Sequence, residues 1–297
     1  MNKLGIFVNF WEKNWSVDYD KYIDKAADIG FDILEFQAQP LLDISDTRLK
    51  EIKAHAESRG LTLTYSLGLD PRYDISSPDE SIRKGGVAYL SEIMKKMHVM
   101  DGKVISGVSY AGWGSPNYIV NDKRPLLENS IRSMRELVQV AGSLGIKYCV
   151  EAVNRFEGAL LNTAKEAVAY VEEVDSPHIG VLLDTYHMNI EEESIGAAIR
   201  YAGDKLFAFH TGENNRTPPG MGYGHLDWDE IFKALADVNF KGQIVSEPFV
   251  MMGGEVGRDI KVYRDLLPSV SEKDIDFAAS QLLSFTREML AKYKVGD

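Results

Sequence analysis

The stretch LGIFVNFWEKNW, residues 4–15, decides between the two large α/β architectures open to this chain. An apolar, strand-like run from Leu4 to Phe10 leads straight into bulky and charged residues. A doubly wound dinucleotide-binding sheet needs a glycine-rich phosphate loop after its first strand, because only glycine permits the tight turn and the close approach of backbone to pyrophosphate. The segment NFWEKNW (9–15) holds no glycine. The remaining solution for a chain of alternating strands and helices is a sheet closed on itself.

The rest of the chain repeats the pattern. Further apolar runs occur at FDILEFQ (31–37), LTLTYSL (61–67), VISGVSY (104–110), KYCVEAV (147–153), IGVLLDT (179–185), LFAFHTG (206–212) and GQIVSEPF (242–249). Segments with helical spacing lie between them. One carries Tyr22, Ile23, Ala26 and Ala27, and another carries Leu127, Ile131, Met134, Leu137 and Val138. Several joints, DIGFDILEF, ESRGLTLTY and SLGIKYCVE, place a glycine at the helix end and start the next strand within a residue or two. Eight strand–helix units without a Pro/Ser-rich linker predict one domain over residues 1–297, an α/β chain folded as a single (β/α)8 TIM barrel. The connection 250–271 is longer than most loops and is expected to build the site or a subunit contact.

Composition excludes several partners. A net charge of −12 opposes binding to nucleic acid or to an anionic membrane surface. No run of about 18 apolar residues is present to span a bilayer, and the N-terminus lacks the pattern of a secretion signal. The lone cysteine, Cys149, sits in an apolar run and reads as a small buried hydrophobe, so no intramolecular disulfide forms. The expectation is a soluble, cytoplasmic protein.

At the C-terminal strand ends of such a barrel, side chains converge on one mouth. Four consecutive strands end in a metal-ligating type: Glu151, Asp184, His210 and Glu247, spaced 33, 26 and 37 residues apart, about one strand–helix unit each. Gathering three carboxylates in a buried site without a cation is strongly unfavourable, because like charges repel and each loses its hydration. A divalent ion resolves the conflict, and three oxygens with one imidazole suit Mn²⁺, Mg²⁺ or Co²⁺ better than a structural zinc. A second polar residue follows three of these strands: Glu157, His187 and Arg216, suited to hold a polyhydroxylated ligand. Aromatic residues at other strand ends, Phe7, Phe10, Trp11, Trp113 and Phe249, suit the faces of a sugar. His55, His98 and His178 read as surface residues, and His225 lies in the glycine-rich loop GMGYGHLDW, which has no lysine–serine/threonine pair to bind phosphate.

The segments EAVNRFEG, LLDTYHMNIEEESIGAAIR, HTGENNRTPPG, EPFVMMGGEVG and VYRDL resemble the ketose 3-epimerases, the D-tagatose and D-allulose (psicose) 3-epimerase group of the xylose-isomerase-like barrels, nearly end to end. The resemblance implies a manganese or cobalt ion on Glu151, Asp184, His210 and Glu247. It also implies that Glu157, His187 and Arg216 orient the substrate, that Phe7, Ser66, Trp113 and Phe249 line the sugar pocket, and that the enzyme is a homodimer or homotetramer. The chain departs from the family at PPGMGYGHLDW, where the usual pattern is shorter and carries an arginine, and at Phe7, where many allulose-preferring members have tyrosine. The third-strand end, YSLGLDPRYDISSPD, is closer to the tagatose-type members.

Inverting C3 of a ketose means removing a proton beside the C2 carbonyl and returning one to the opposite face, through a cis-enediolate. That requires an acid/base group on each side of the substrate plane, and Glu151 and Glu247 come from strands far enough round the barrel to supply them. A divalent ion serves as Lewis acid, Mn²⁺ first with Co²⁺ or Mg²⁺ as alternatives. The rival within the same barrel is a metal-dependent sugar isomerase or dehydratase. A DNA-repair endonuclease would need more histidines and a basic face, and a sugar-binding protein would not need two opposed carboxylates.

Overall fold

A computed structural model describes residues 2–114 and 121–296; Met1, 115–120 and Asp297 lie outside the described residues. The eight parallel strands form a closed barrel in sequence order. They are β1 Leu4–Phe7, β2 Ile33–Gln37, β3 Thr62–Ser66, β4 Val104–Ser106, β5 Lys147–Ala152, β6 Ile179–Asp184, β7 Leu206–Thr211 and β8 Gln243–Ser246. The ring closes where Leu4, Gly5 and Ile6 of β1 pair with Ile244, Val245 and Ser246 of β8. This is a (β/α)8 TIM barrel.

Helix ends fall where the sequence places them. The helix Tyr19–Ile29 stops at Gly30 and Arg124–Leu144 stops at Gly145, both in the left-handed conformation. Apolar helix faces, with Ile23, Leu49, Ile93, Met134, Leu137, Ile199, Phe232 and Leu282, bury against the outside of the barrel and form the main core.

The strands are shorter than their apolar runs, β1, β4 and β8 most of all. The first turns after Phe7 into a 3-10 turn, Val8–Phe10. Phe10 and Trp11, expected at the mouth, therefore pack into the core, where Trp11 stacks on Tyr22 at 6.1 Å and meets Phe31 edge-on. The fourth strand ends at Ser106 because Gly107 takes φ of 101°. A side chain there would come within 2.4 Å of the Leu67 carbonyl oxygen. The turn lets the Gly107 carbonyl accept the Glu151 N–H at 3.2 Å, which ties the end of β4 to a residue of the site.

Inside the barrel, strand alternation sets the layers. Two residues before Glu151, Asp184 and His210 lie Cys149, Leu182 and Ala208, which form an apolar floor one layer below the polar cluster. Cys149 is accordingly a buried, unpaired thiol. Among the described residues, no helix is long and apolar enough to cross a membrane.

Candidate active site

Glu151, Asp184 and His210 project from the ends of β5, β6 and β7, and Glu247 stands one residue beyond β8. One ligand atom from each lies within 4.8 Å of the others, and all four side chains are buried. Glu151 Oε1, Asp184 Oδ2 and His210 Nδ1 have no hydrogen-bond partner; they meet neighbouring charged groups only at 3.5–3.6 Å. Buried polar atoms left unpaired are costly. Three of them converging on one point is the donor set of a cation, and the cluster is able to hold a metal ion. The electrostatics agree. Burial, then the nearby Glu247, pushes the Glu151 carboxyl well above its usual range, and burial also raises Asp184. A cation relieves both effects.

Asp184 has two duties. Its Oδ1 accepts the Tyr186 N–H at 2.7 Å and caps the short helix Thr185–Glu191, leaving Oδ2 to the cluster. His187 therefore sits in the first turn of a helix that follows β6 directly. Its ring is placed by Asn154, whose backbone N–H and side-chain amide donate to Nδ1 at 3.2 and 2.8 Å. With Nδ1 accepting, the proton of the neutral ring belongs on Nε2, which is 3.5 Å from Glu151 Oε1 and lies 3.3 Å from Arg216 Nη2 with no hydrogen bond between these two donors. Burial lowers the His187 pKa and favours this neutral form.

Arg216 binds the group together. Its guanidinium reaches Glu157 at 3.3 Å, Glu247 at 3.4 Å and Asp184 at 3.5 Å. It also stacks over Tyr186 at 4.0 Å and lies 5.1 Å from the centre of the Phe249 ring. The residue adopts φ of 65°, a strained choice for a side-chain-bearing residue that the surrounding contacts enforce. Glu157 also accepts from Asn154 at 3.2 Å and from the Trp113 indole at 3.3 Å. Although burial works against ionisation, His187, Arg216 and these donors hold its carboxyl at about 2.

Above the cluster the barrel opens into a cavity at its mouth. Glu151, Glu157, His187, Arg216, Glu247, Phe7, Ser66, Trp113 and Phe249 all line it. Asp184 and His210 lie beneath. Phe7 and Phe249 meet edge-to-face at 5.8 Å. His225 is exposed and outside the cavity; the loop 217–228 is anchored instead by Asn214 and Asn215, which bond the His225 N–H and the Tyr223 carbonyl. His98 is exposed, and His55 and His178 are half-buried.

Sequence reasoning did not single out Asn154, Trp15, Gln37, Ile260 or Glu35. Trp15 and Ile260 line the cavity, brought there by the connection 250–271, whose Asp259 accepts the Trp15 indole N–H at 2.8 Å. Gln37 lines it from the tip of β2. Glu35 is fully buried one layer below, 3.0 Å from His210 Nε2. A glutamate amid FDILEFQ was its visible signal.

A closed α/β barrel with an acidic, metal-competent cluster at the C-terminal mouth defines the class. Residues 23–266 match the family described as xylose isomerase-like TIM barrel. A D-psicose 3-epimerase of Ruminiclostridium cellulolyticum is 45% identical over 98% of this chain and 99% of its own length. An L-ribulose 3-epimerase of Mesorhizobium japonicum is 32% identical over 84% of this chain and 82% of its own. The crystal structure of a D-psicose 3-epimerase with D-tagatose from Clostridium cellulolyticum superposes with a TM-score of 0.94, covering 97% of this chain and 99% of that one at 45% identity. The chain belongs to the ketose 3-epimerases within the xylose isomerase-like TIM barrels, and it is an enzyme of the isomerase class.

Proposed function

We propose that this protein epimerises free ketoses at C3, interconverting pairs such as D-fructose and D-allulose, D-tagatose and D-sorbose, or L-ribulose and L-xylulose, with Mn²⁺ held by Glu151, Asp184, His210 and Glu247. Co²⁺ and Mg²⁺ are the alternative ions. The observation that carries the reading is a pair of carboxylates, Glu151 from β5 and Glu247 from beyond β8, lining one cavity. The names of the relatives, psicose and ribulose 3-epimerases, support the substrate class.

A divalent cation supplies Lewis acidity toward the charge that develops as the C3 proton leaves, worth several kcal/mol. One of the two glutamates takes the C3 proton from its face, and the other returns a proton to the opposite face; which acts first depends on the epimer that is bound. His187 donates its Nε2–H, and Arg216 its guanidinium protons, to the oxygens at C1 and C2 as negative charge grows there. Glu157, ionised and braced by Asn154 and Trp113, fixes the sugar's orientation. Phe7, Ser66, Trp113 and Phe249 form the wall around the remaining carbons. A homo-oligomer is supported by exposed apolar side chains on the segments around the mouth, Phe156 and Tyr263 among them.

The test is incubation with D-fructose, D-tagatose and L-ribulose plus Mn²⁺ in D₂O, with products separated by chromatography. A C3 epimer carrying solvent deuterium at C3 is the expected product. Aldose formation makes the enzyme an isomerase and loss of water makes it a dehydratase; either result overturns the proposal.

A further inference from the structure

We infer that Glu35, which lines no part of the substrate cavity and is not one of the four cluster residues but lies against one of them, is a positioning residue that sets how tightly His210 holds the metal. This rests on the metal reading above. Glu35 is fully buried in the middle of β2, with Oε1 3.0 Å from His210 Nε2. The other ring nitrogen, Nδ1, faces the cluster and lies 3.6 Å from Glu247 Oε2. The imidazole thus stands between a carboxylate and the cation position.

Three further strands hold Glu35 in place. Its Oε2 accepts Thr64 Oγ1 of β3 at 2.9 Å, Gln243 Nε2 of β8 at 3.4 Å and Ser106 Oγ of β4 at 3.5 Å. These donors are neutral, so they satisfy lone pairs without cancelling the charge. Among the described residues, its one ion-pair partner is His210. A buried carboxylate costs several kcal/mol unless a positive group answers it. No arginine or lysine does so here.

The arrangement acts in two ways. A neutral histidine that ligates through Nδ1 must carry its proton on Nε2, and the negative charge of Glu35 Oε1, 3.0 Å from Nε2 though not in hydrogen-bond alignment with it, favours this tautomer. The negative charge behind the ring also makes Nδ1 a stronger electron-pair donor to a cation. Apolar side chains would fill the same interior layer in an ordinary barrel. Here Thr64, Ser106 and Gln243 all direct hydrogen bonds at Glu35 Oε2.

The test compares wild type, Glu35→Gln and Thr64→Val after metal stripping. Mn²⁺ affinity is measured by titration calorimetry, and KM and kcat at saturating Mn²⁺. Glu35→Gln keeps the shape and loses the charge, and it should weaken Mn²⁺ binding about 10- to 100-fold while KM for the ketose stays within about twofold. Thr64→Val, which removes one brace, should weaken Mn²⁺ binding by roughly threefold. Unchanged Mn²⁺ affinity in Glu35→Gln overturns the inference and leaves the metal reading intact. Failure of wild type to bind Mn²⁺ overturns both. Should Glu35→Gln fail to fold, Glu35→Asp, which keeps the charge and withdraws it from His210, decides: weakened Mn²⁺ binding at an unchanged KM supports the inference, and unchanged Mn²⁺ affinity overturns it.

Discussion

At the scale of single residues, Asp184 and His187 are three positions apart and do different work. Asp184→Asn keeps the cap on Tyr186, since asparagine caps as well as aspartate, and removes only the charge. It should weaken Mn²⁺ binding without unfolding the helix, as read by calorimetry and circular dichroism. His187→Ala should leave Mn²⁺ affinity nearly unchanged and lower kcat/KM by about 30- to 1,000-fold, the effect of losing roughly 2–4 kcal/mol of hydrogen bonding in the transition state. Equal loss of metal in both variants would make His187 a ligand. Glu151→Gln and Glu247→Gln should each abolish epimerisation at saturating Mn²⁺, and each should lose exchange of the C3 hydrogen with D₂O only for the epimer whose proton that glutamate takes; near-wild-type epimerisation in either would break the two-base scheme. Glu157 gives a pH test. Its carboxyl is held at about 2 against the usual 4.5, so its stabilisation is fully present above about 4.5 and is lost as pH falls through 2. The gap corresponds to about 3 kcal/mol. Urea denaturation of wild type and Glu157→Gln should show a difference that is constant above pH 4.5 and shrinks below it. The four cluster residues were legible because each is a charged or imidazole group ending an apolar run. Asn154 was not, since its partner His187 is 33 residues away and nothing local marks the pair.

At the scale of elements, all eight strands were legible from their apolar runs, and the glycines that end helices marked the joints. The lengths of β1 and β4 were not. An apolar run does not say where it leaves the sheet, and in β4 that point is a backbone conformation, not a hydropathy change. Gly107→Ala tests it. The variant meets both the left-handed φ and the overlap with the Leu67 carbonyl, so it should destabilise the fold by about 2–4 kcal/mol in urea melts. It should also lower activity, because the Gly107 carbonyl holds the Glu151 backbone. The helix Thr185–Glu191 was hidden for a related reason: a seven-residue helix started by Asp184 has too few turns to show a period.

At the scale of the molecule, a cluster of orphaned acids would couple folding to a bound cation. Mn²⁺ at a free concentration of 100 times its dissociation constant should stabilise the folded state by about 2.7 kcal/mol, raising Tm by several degrees. Asp184→Asn should show a smaller rise in the same thermal-shift titration. A barrel with no change in Tm on adding Mn²⁺, Co²⁺ or Mg²⁺ would count against a resident cation.

The barrel's angular layout separates two kinds of change that evolution or an engineer could make. The four cluster residues come from β5 to β8, while Phe7, Gln37, Ser66 and Trp113 reach the cavity from β1 to β4 and the segment after it. The wall residues of the first half can therefore change without touching the cluster, while Glu157, His187, Arg216 and Phe249 face the same cavity from the second half. Recombining the first half of one relative with the second half of another should therefore shift the choice of ketose only in part.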